Sequence, residues 1–410
     1  MVTSALLPDL KDPALYENRA PYDVFEQLRR EQPVYWNPEV DGAGFWAMTR
    51  HADIVEVSRR ADIFSSAYEN GGHRIFNENE VGLTGAGDSA VGIPFISRDP
   101  PIHTRYRKFV MPALAPGRLG DIEARVEERV TALLEKVPLG ERIDIVPLLS
   151  APLPLLTLAE LLGLPSDMWV KLYHWTNAFV GEDDPEFRQS AQSMAETMTE
   201  FFAFSKELFD ARRAEPGPDI ASLLANAEID GVPVPFNDFV GNLILVLVGG
   251  NETTRNSLSH TLVAFSNNPD QWDAIRENPD LLKSAPAEFV RHASPVLHMR
   301  RTAMTDVEIG GQAIAKGDKV VMWYISGNRD ETVFEKPDLF DVRRRAVQHV
   351  GFGAGQHVCV GSRLAEMQLR VAFRHLARHV QRFEVEGKPR RFRSNFINGL
   401  KNLDITMVPA

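Results

Sequence analysis

Apolar positions along the chain recur mostly at helical spacing. In residues 121–136 (DIEARVEERVTALLEK), Ile122, Val126, Val130 and Leu133 fall on one stripe between charges, which predicts an amphipathic helix. Stretches 187–213 and 364–380 carry the same period. Residues 239–262 (FVGNLILVLVGGNETTRNSLSHTL) read as the most apolar helix, interrupted by Gly249-Gly250. Strand signals are few and short. Residues 307–314, with Gly310-Gly311 inside, predict a hairpin, and 319–324 (KVVMWY) a further strand. A second small sheet is expected around 383–385 and 405–408.

Two stretches lack a period. Residues 66–101 are rich in Gly, Asn and Pro and read as a long loop with a short helix, of a composition that suits a lid over residues 66–95. Residues 330–358 are the second, ending in Gly351, Gly353 and Gly355. Long loops inside a compact domain are often functional. There is no repeat and no linker composition, so one mainly helical domain with small sheets is expected over 1–410.

Composition narrows the function. The net charge of −11 argues against a nucleic-acid binder, which would carry a basic footprint. A single cysteine among 410 residues makes no internal disulfide. The first residues lack a basic start and a long apolar core, and the apolar run 243–250 is too short to cross a bilayer, which takes about 20 residues. A cytoplasmic protein without membrane attachment is expected, as a monomer.

The lone cysteine lies in an unusual setting. The string FGAGQHVCVG (352–361) leads into a helix whose apolar face runs Ala365, Leu369, Ala372, Phe373 and Leu376. Cys359 therefore precedes a helix N-terminus, where the macrodipole favours a thiolate. Glycines let the backbone approach a ligand closely, and loop N–H groups can donate to the sulfur of a metal ligand. Most lone cysteines are only small buried hydrophobes. A nucleophile helped by His357 is a further alternative, although residues two apart point differently.

This loop resembles the haem-binding loop of the cytochrome P450 superfamily, in which a cysteine thiolate holds haem iron. The resemblance implies a helical prism, triangular in outline, with haem b between the GGNETT helix and the cysteine-loop helix. It names Phe352, Gly353, His357, Cys359 and Gly361 as cofactor-binding, with Cys359 on the iron.

Other strings fit the same family in order. Gly249-Gly250 followed by Glu252-Thr253 can loosen a helix and set a carboxylate beside a hydroxyl, a plausible proton relay; alone, the same residues could be close packing and a solvated turn. The resemblance makes Glu252 and Thr253 the catalytic acid–alcohol pair and Gly249 part of a groove over the iron, with glutamate in place of the more frequent aspartate. Glu288 and Arg291, three apart, share a helix face. By resemblance they form a structural pair completed by Arg344, with Arg343 its neighbour. His103 and Arg107, four apart, can face one buried anion. The resemblance assigns His103, Arg107, Arg301 and His357 to the haem propionates, while Arg105 reads as a surface residue.

Such a site implies a monooxygenase that activates O2 and hydroxylates a hydrophobic molecule, terpenoid, aliphatic or steroid-like. By family alignment its pocket includes Leu245, Val246, Gly249, Val296, Leu297, Phe396 and Ile397, with part of 90–96. Aromatics such as Trp175, Phe179, Phe201 and Phe202 are more often core than pocket. No G-x-G-x-x-G fingerprint follows a strand, so electrons must come from a partner. A ferredoxin with its reductase is implied, and Arg363, Arg370, Arg374 and Arg378 offer it a docking face or are merely solvated. Two rivals stand beside this reading. A haem-thiolate sensor has no use for Glu252-Thr253, and a haem-free terpenoid enzyme has only the acidic run 182–184 in its favour.

Overall fold

The computed structural model describes residues 7–40, 42–76, 91–188, 190–345 and 347–410. Residues 77–90 of the 66–95 stretch read as a lid lie outside them. Helices dominate, as the apolar period predicts. The stripe in 121–136 belongs to a helix Pro116–Leu134 that buries Ile122, Val126, Val130 and Leu133. Residues 187–213 and 364–380 appear as Ala191–Ala214 and Ser362–His379.

A central helix, Phe236–Asn267, runs through the core. Pro235 precedes it and Asn268-Pro269 ends it, consistent with proline's tolerance at helix starts and its inability to continue one. Its apolar Leu243, Leu247, Leu258 and Leu262 are fully or almost fully buried in the largest apolar cluster. The Gly249-Gly250 pair does not interrupt it; the helix is continuous, and the Thr253 hydroxyl donates to the Gly249 carbonyl at 2.7 Å.

One five-stranded sheet flanks the helices. Its strands are β1 (Val34–Asn37), β2 (Phe45–Met48), β3 (Phe64–Ser65), β4 (His298–Ala303) and β5 (Lys319–Trp323), in the order β1-β2-β5-β4-β3. All neighbours are antiparallel except β2 and β5. Val307–Ile309 and Gln312–Ile314 form the hairpin expected around Gly310-Gly311. Val380–Val385 pairs with Asp404–Pro409, the expected second sheet, to which Arg142–Asp144 adds a strand without a signal in the sequence. Trp175, Phe179 and Phe201 are core. No helix among the described residues is long and apolar enough to cross a membrane.

Candidate active site

A cavity of about 280 Å³ separates the central helix from the cysteine loop and the helix that follows it. Leu245, Gly249, Thr253 and Ser257 all line it. They are spaced four apart, so one stripe of the central helix forms its roof. Val246, Val296, Met299, Phe396 and Ile397 add an apolar wall. Alternation along β4 sends Met299 and Arg301 to the cavity and leaves His298 against Trp323.

Leu297 does not take the place expected of it. Its side chain is fully buried on the opposite side, in the cluster with Phe25, Phe45 and Trp323. Val296 is bridged to Ile397 outside β4, and the alternation of β4 does not carry through Leu297, since Val296 lines the cavity together with Met299 and Arg301, an odd number of residues away. Val296 takes the cavity side and Leu297 the other.

Cys359 sits in the floor. The loop before it needs positive φ at Gly353 (71°) and Gly355 (66°), and a Cβ at Gly355 would stand 2.4 Å from the Ser58 carbonyl oxygen. The Cys359 N–H donates to the Phe352 carbonyl at 2.8 Å, which closes the loop beneath the sulfur. The exposed face of Cys359 opens into the cavity, while protein atoms surround the rest. Burial pushes its thiol up, opposed by the Gly361 N–H and the Arg107 guanidinium. A metal at the sulfur would reverse that balance, since a coordinating thiol loses its proton.

One wall is cationic. His103, Arg107, Arg301 and His357 all line the cavity, and the His103 and His357 rings lie 4.0 Å apart. Both ring nitrogens of His103 are buried and lack a hydrogen-bond partner among the described residues. Among the described residues, no acid lines the cavity that Arg107 and Arg301 face. Burial, then Arg107 and Arg301, holds His103 down at about 4 and His357 lower still. A buried Arg301 and a half-buried Arg107 facing one cavity call for a ligand with two negative charges. Haem fits: two carboxylates for the cationic wall, a flat apolar body for the cavity, and an iron for the sulfur. Arg105 pairs instead with Asp230 at the surface.

Glu252 and Thr253 point different ways. Thr253 faces the cavity; Glu252 is fully buried behind the helix and does not line it. Its carboxylate lies 2.6 Å from Arg255 and accepts from the Asn251 amide at 2.9 Å. Asn251 also donates to Thr176, and Arg255 to Asn177, so the acid belongs to a polar seam against the helix Trp169–Val180. Burial raises the Glu252 carboxyl, with Arg255 opposing.

The expected structural triad assembles. Arg291 donates to both Glu288 oxygens, at 2.6 and 2.8 Å, and Arg344 lies 3.3 Å from Glu288, while Arg343 is exposed. Arg291 also donates to the carbonyls of Asn328, Pro337 and Leu339. The Asn328 side chain then accepts from the Val350 N–H, at the entrance to the cysteine loop. The triad thus fixes the path of the chain that delivers Cys359.

The cysteine-loop arginines are less free than their spacing implied. Arg370 pairs with Glu123 at 2.8 Å, and Arg374 with Glu123 and Glu127. Arg363 and Arg378 remain exposed. His73 also lines the cavity, a residue that nothing in the sequence singled out.

Residues 156–403 match the cytochrome P450 family. The chain is 71% identical to linalool 8-monooxygenase of Pseudomonas putida, over 98% of this chain and 99% of that one. It is 36% identical to a steroid C26-monooxygenase of Rhodococcus jostii, over 97% and 84%. A Mycobacterium marinum cytochrome P450 solved with pseudoionone superposes with a TM-score of 0.90 at 33% identity, covering 98% of this chain and 99% of that one. A cysteine that opens into the cavity, a wall fitted to two carboxylates and relatives matched from end to end place this chain in the cytochrome P450 family, as a haem b monooxygenase that activates O2 and hydroxylates a hydrophobic small molecule.

Proposed function

We propose that this chain hydroxylates an acyclic terpenoid alcohol of the linalool kind, at carbon 8, with electrons from a ferredoxin and its reductase. The observation that carries the proposal is 71% identity to a linalool 8-monooxygenase across nearly the whole of both chains. The apolar wall of Leu245, Val246, Val296, Met299, Phe396 and Ile397 suits such a substrate, because it excludes water and holds a hydrocarbon body by contact area.

Cys359 would hold the iron, with the Gly361 N–H donating to its sulfur. His103, Arg107, Arg301 and His357 would hold the two carboxylates. Phe352, Gly353 and Gly249, all in the lining, bound the cofactor. The bound haem supplies reduction and cleavage of O2 and transfer of one oxygen atom to a C–H bond, chemistry that a thiolate ligand favours. Thr253 holds a proton at Oγ1 over the cavity, and Glu252 replenishes it from the polar seam behind the helix. Glu288, Arg291 and Arg344 support the loop and do no chemistry. Arg363 and Arg378 are the cations left free to receive an acidic ferredoxin. The protein works as a cytoplasmic monomer.

The test is spectroscopic and then chemical. The reduced protein under carbon monoxide should show the strongly red-shifted Soret band of a thiolate-ligated haem. Linalool should perturb the ferric spectrum, and ferredoxin-driven turnover should give the 8-hydroxy product. A haem protein without the red shift would overturn the role of Cys359. Steroids or branched lipids binding where linalool does not would overturn the substrate.

A further inference from the structure

His73 lies outside every motif, yet it lines the cavity beside the cationic wall. The segment that carries it runs alongside β4. The Thr302 hydroxyl donates to the Asn70 carbonyl, and the Arg300 N–H donates to the His73 carbonyl at 2.6 Å. This places the His73 backbone one residue from Arg301, the cation on the cavity face of the same strand. On its other side the ring meets Ser97, whose Oγ lies 2.6 Å from Nδ1. Ser97 is buried and follows Phe95 and Ile96, which also line the cavity. Backbone and side chain are therefore both fixed, and the ring has one free edge.

The geometry points to His73 as a fifth residue holding the haem carboxylates, a neutral hydrogen-bond donor beside the charged Arg107 and Arg301. This rests on the haem reading of the cavity. In the tautomer that serves this role, the Ser97 hydroxyl donates to Nδ1 and the ring carries its proton on Nε2, the nitrogen on the free edge. Burial together with Arg74 and Arg301 holds His73 neutral, at about 3. A neutral donor strengthens the hold on a carboxylate without adding charge to a wall that already has two guanidinium groups. It also withdraws negative charge from the cofactor's edge, which eases reduction of the iron.

The experiment compares wild type with His73→Phe, His73→Gln and Ser97→Ala, all as haem-loaded protein. Readouts are haem transfer to apomyoglobin and the reduction potential by spectroelectrochemistry. His73→Phe should release haem about tenfold faster, as expected for a lost hydrogen bond to a charged group, and should move the potential to more negative values. Gln keeps an N–H donor and should recover most of both. Ser97→Ala, which frees the ring without removing it, should move both readouts less and in the same direction, and it remains informative if His73→Phe fails to fold. Unchanged haem release and potential in the His73 variants would overturn the assignment. So would a changed affinity for linalool with both readouts unchanged, because the imidazole would then face substrate. Failure of the wild-type protein to bind haem would instead defeat the underlying reading of the cavity.

Discussion

Thr253 and Glu252 show how one residue step separates two jobs. Successive side chains on a helix are turned by about 100°, so a carboxylate next to a cavity-facing hydroxyl must point elsewhere. Here it points into a seam with Arg255, Asn251 and Thr176. A fully buried ion pair is weak evidence of a stabilising role, since desolvation offsets most of the Coulomb gain. Its value lies in keeping a carboxylate near the cavity and away from bulk water. Thr253 touches the cavity and carries the only hydroxyl of the acid–alcohol pair, so its loss should spare the cofactor and harm the chemistry. In Thr253→Ala, haem content and the carbon monoxide spectrum should stay as in wild type. Product formation should slow by on the order of 10²-fold, the lower bound for a positioned proton donor, while oxygen consumption continues. Full activity in this variant would remove Thr253 from the mechanism.

The central helix sets a conflict between its own stability and the space below it. A Cβ added at Gly249 would meet nothing within 4 Å, so no packing demands glycine there. Glycine inside a helix costs up to about 1 kcal/mol relative to alanine. That space is the cavity roof, on the stripe shared with Leu245, Thr253 and Ser257. Gly249→Ala should therefore raise the melting temperature of the cofactor-free protein slightly, while weakening linalool binding and O2 turnover in the loaded one. A melting temperature lowered together with intact binding would contradict this account. Leu245, Gly249 and Thr253 were named through the family resemblance, and the stripe that joins them to Ser257 emerges in the structure. The cysteine loop, the Glu288–Arg291–Arg344 triad and the cationic wall were legible in the sequence, each carried by a short pattern. Period alone could not say which helix face meets the cavity, so it could not tell that Thr253 lines it while Glu252 lies behind the helix. Leu297 failed because alternation does not run unbroken from Val296 into β4, and the bridge to Ile397 that marks the break is a long-range pairing. His73 had no local signal at all, because a pairing with β4 across more than two hundred residues of chain puts it in place.

Across the whole molecule, several buried histidines share one electrostatic habit. Burial, then arginine neighbours, lowers His260 to about 3 beside Arg391 and Arg329, His298 to about 3 beside Arg74, and His349 to about 4 beside Arg291 and His51. His292 is held well below its usual value beside Arg329 and Arg291. Hydrogen bonding agrees in two of them. The Ile75 N–H donates to His298 Nε2 at 3.1 Å, and the Gly351 N–H to His349 Nδ1 at 3.1 Å, so a proton on either nitrogen would break a backbone bond. None of the four lines the cavity, so bound haem does not shield them. In the unfolded chain each takes a proton near pH 6.5. Between that pH and about 4 the unfolded state binds more protons, and folding stability falls as pH falls. One unit below 6.5, each of His260, His298 and His349 costs about 1.4 kcal/mol, so these three remove roughly 4 kcal/mol, a large share of a total of about 5–15 kcal/mol, and His292 adds in the same direction. The lowered carboxylates, Asp184 and Asp330 among them, act only at lower pH, below about 4. The melting temperature of the loaded enzyme should therefore hold steady from pH 8 to 7, drop steeply between 6.5 and 5, and recover part of that loss in His298→Gln. A melting curve flat to pH 5 would mean that the buried rings accept protons in the folded state, and the stability of this fold in acid would then rest on its carboxylates alone.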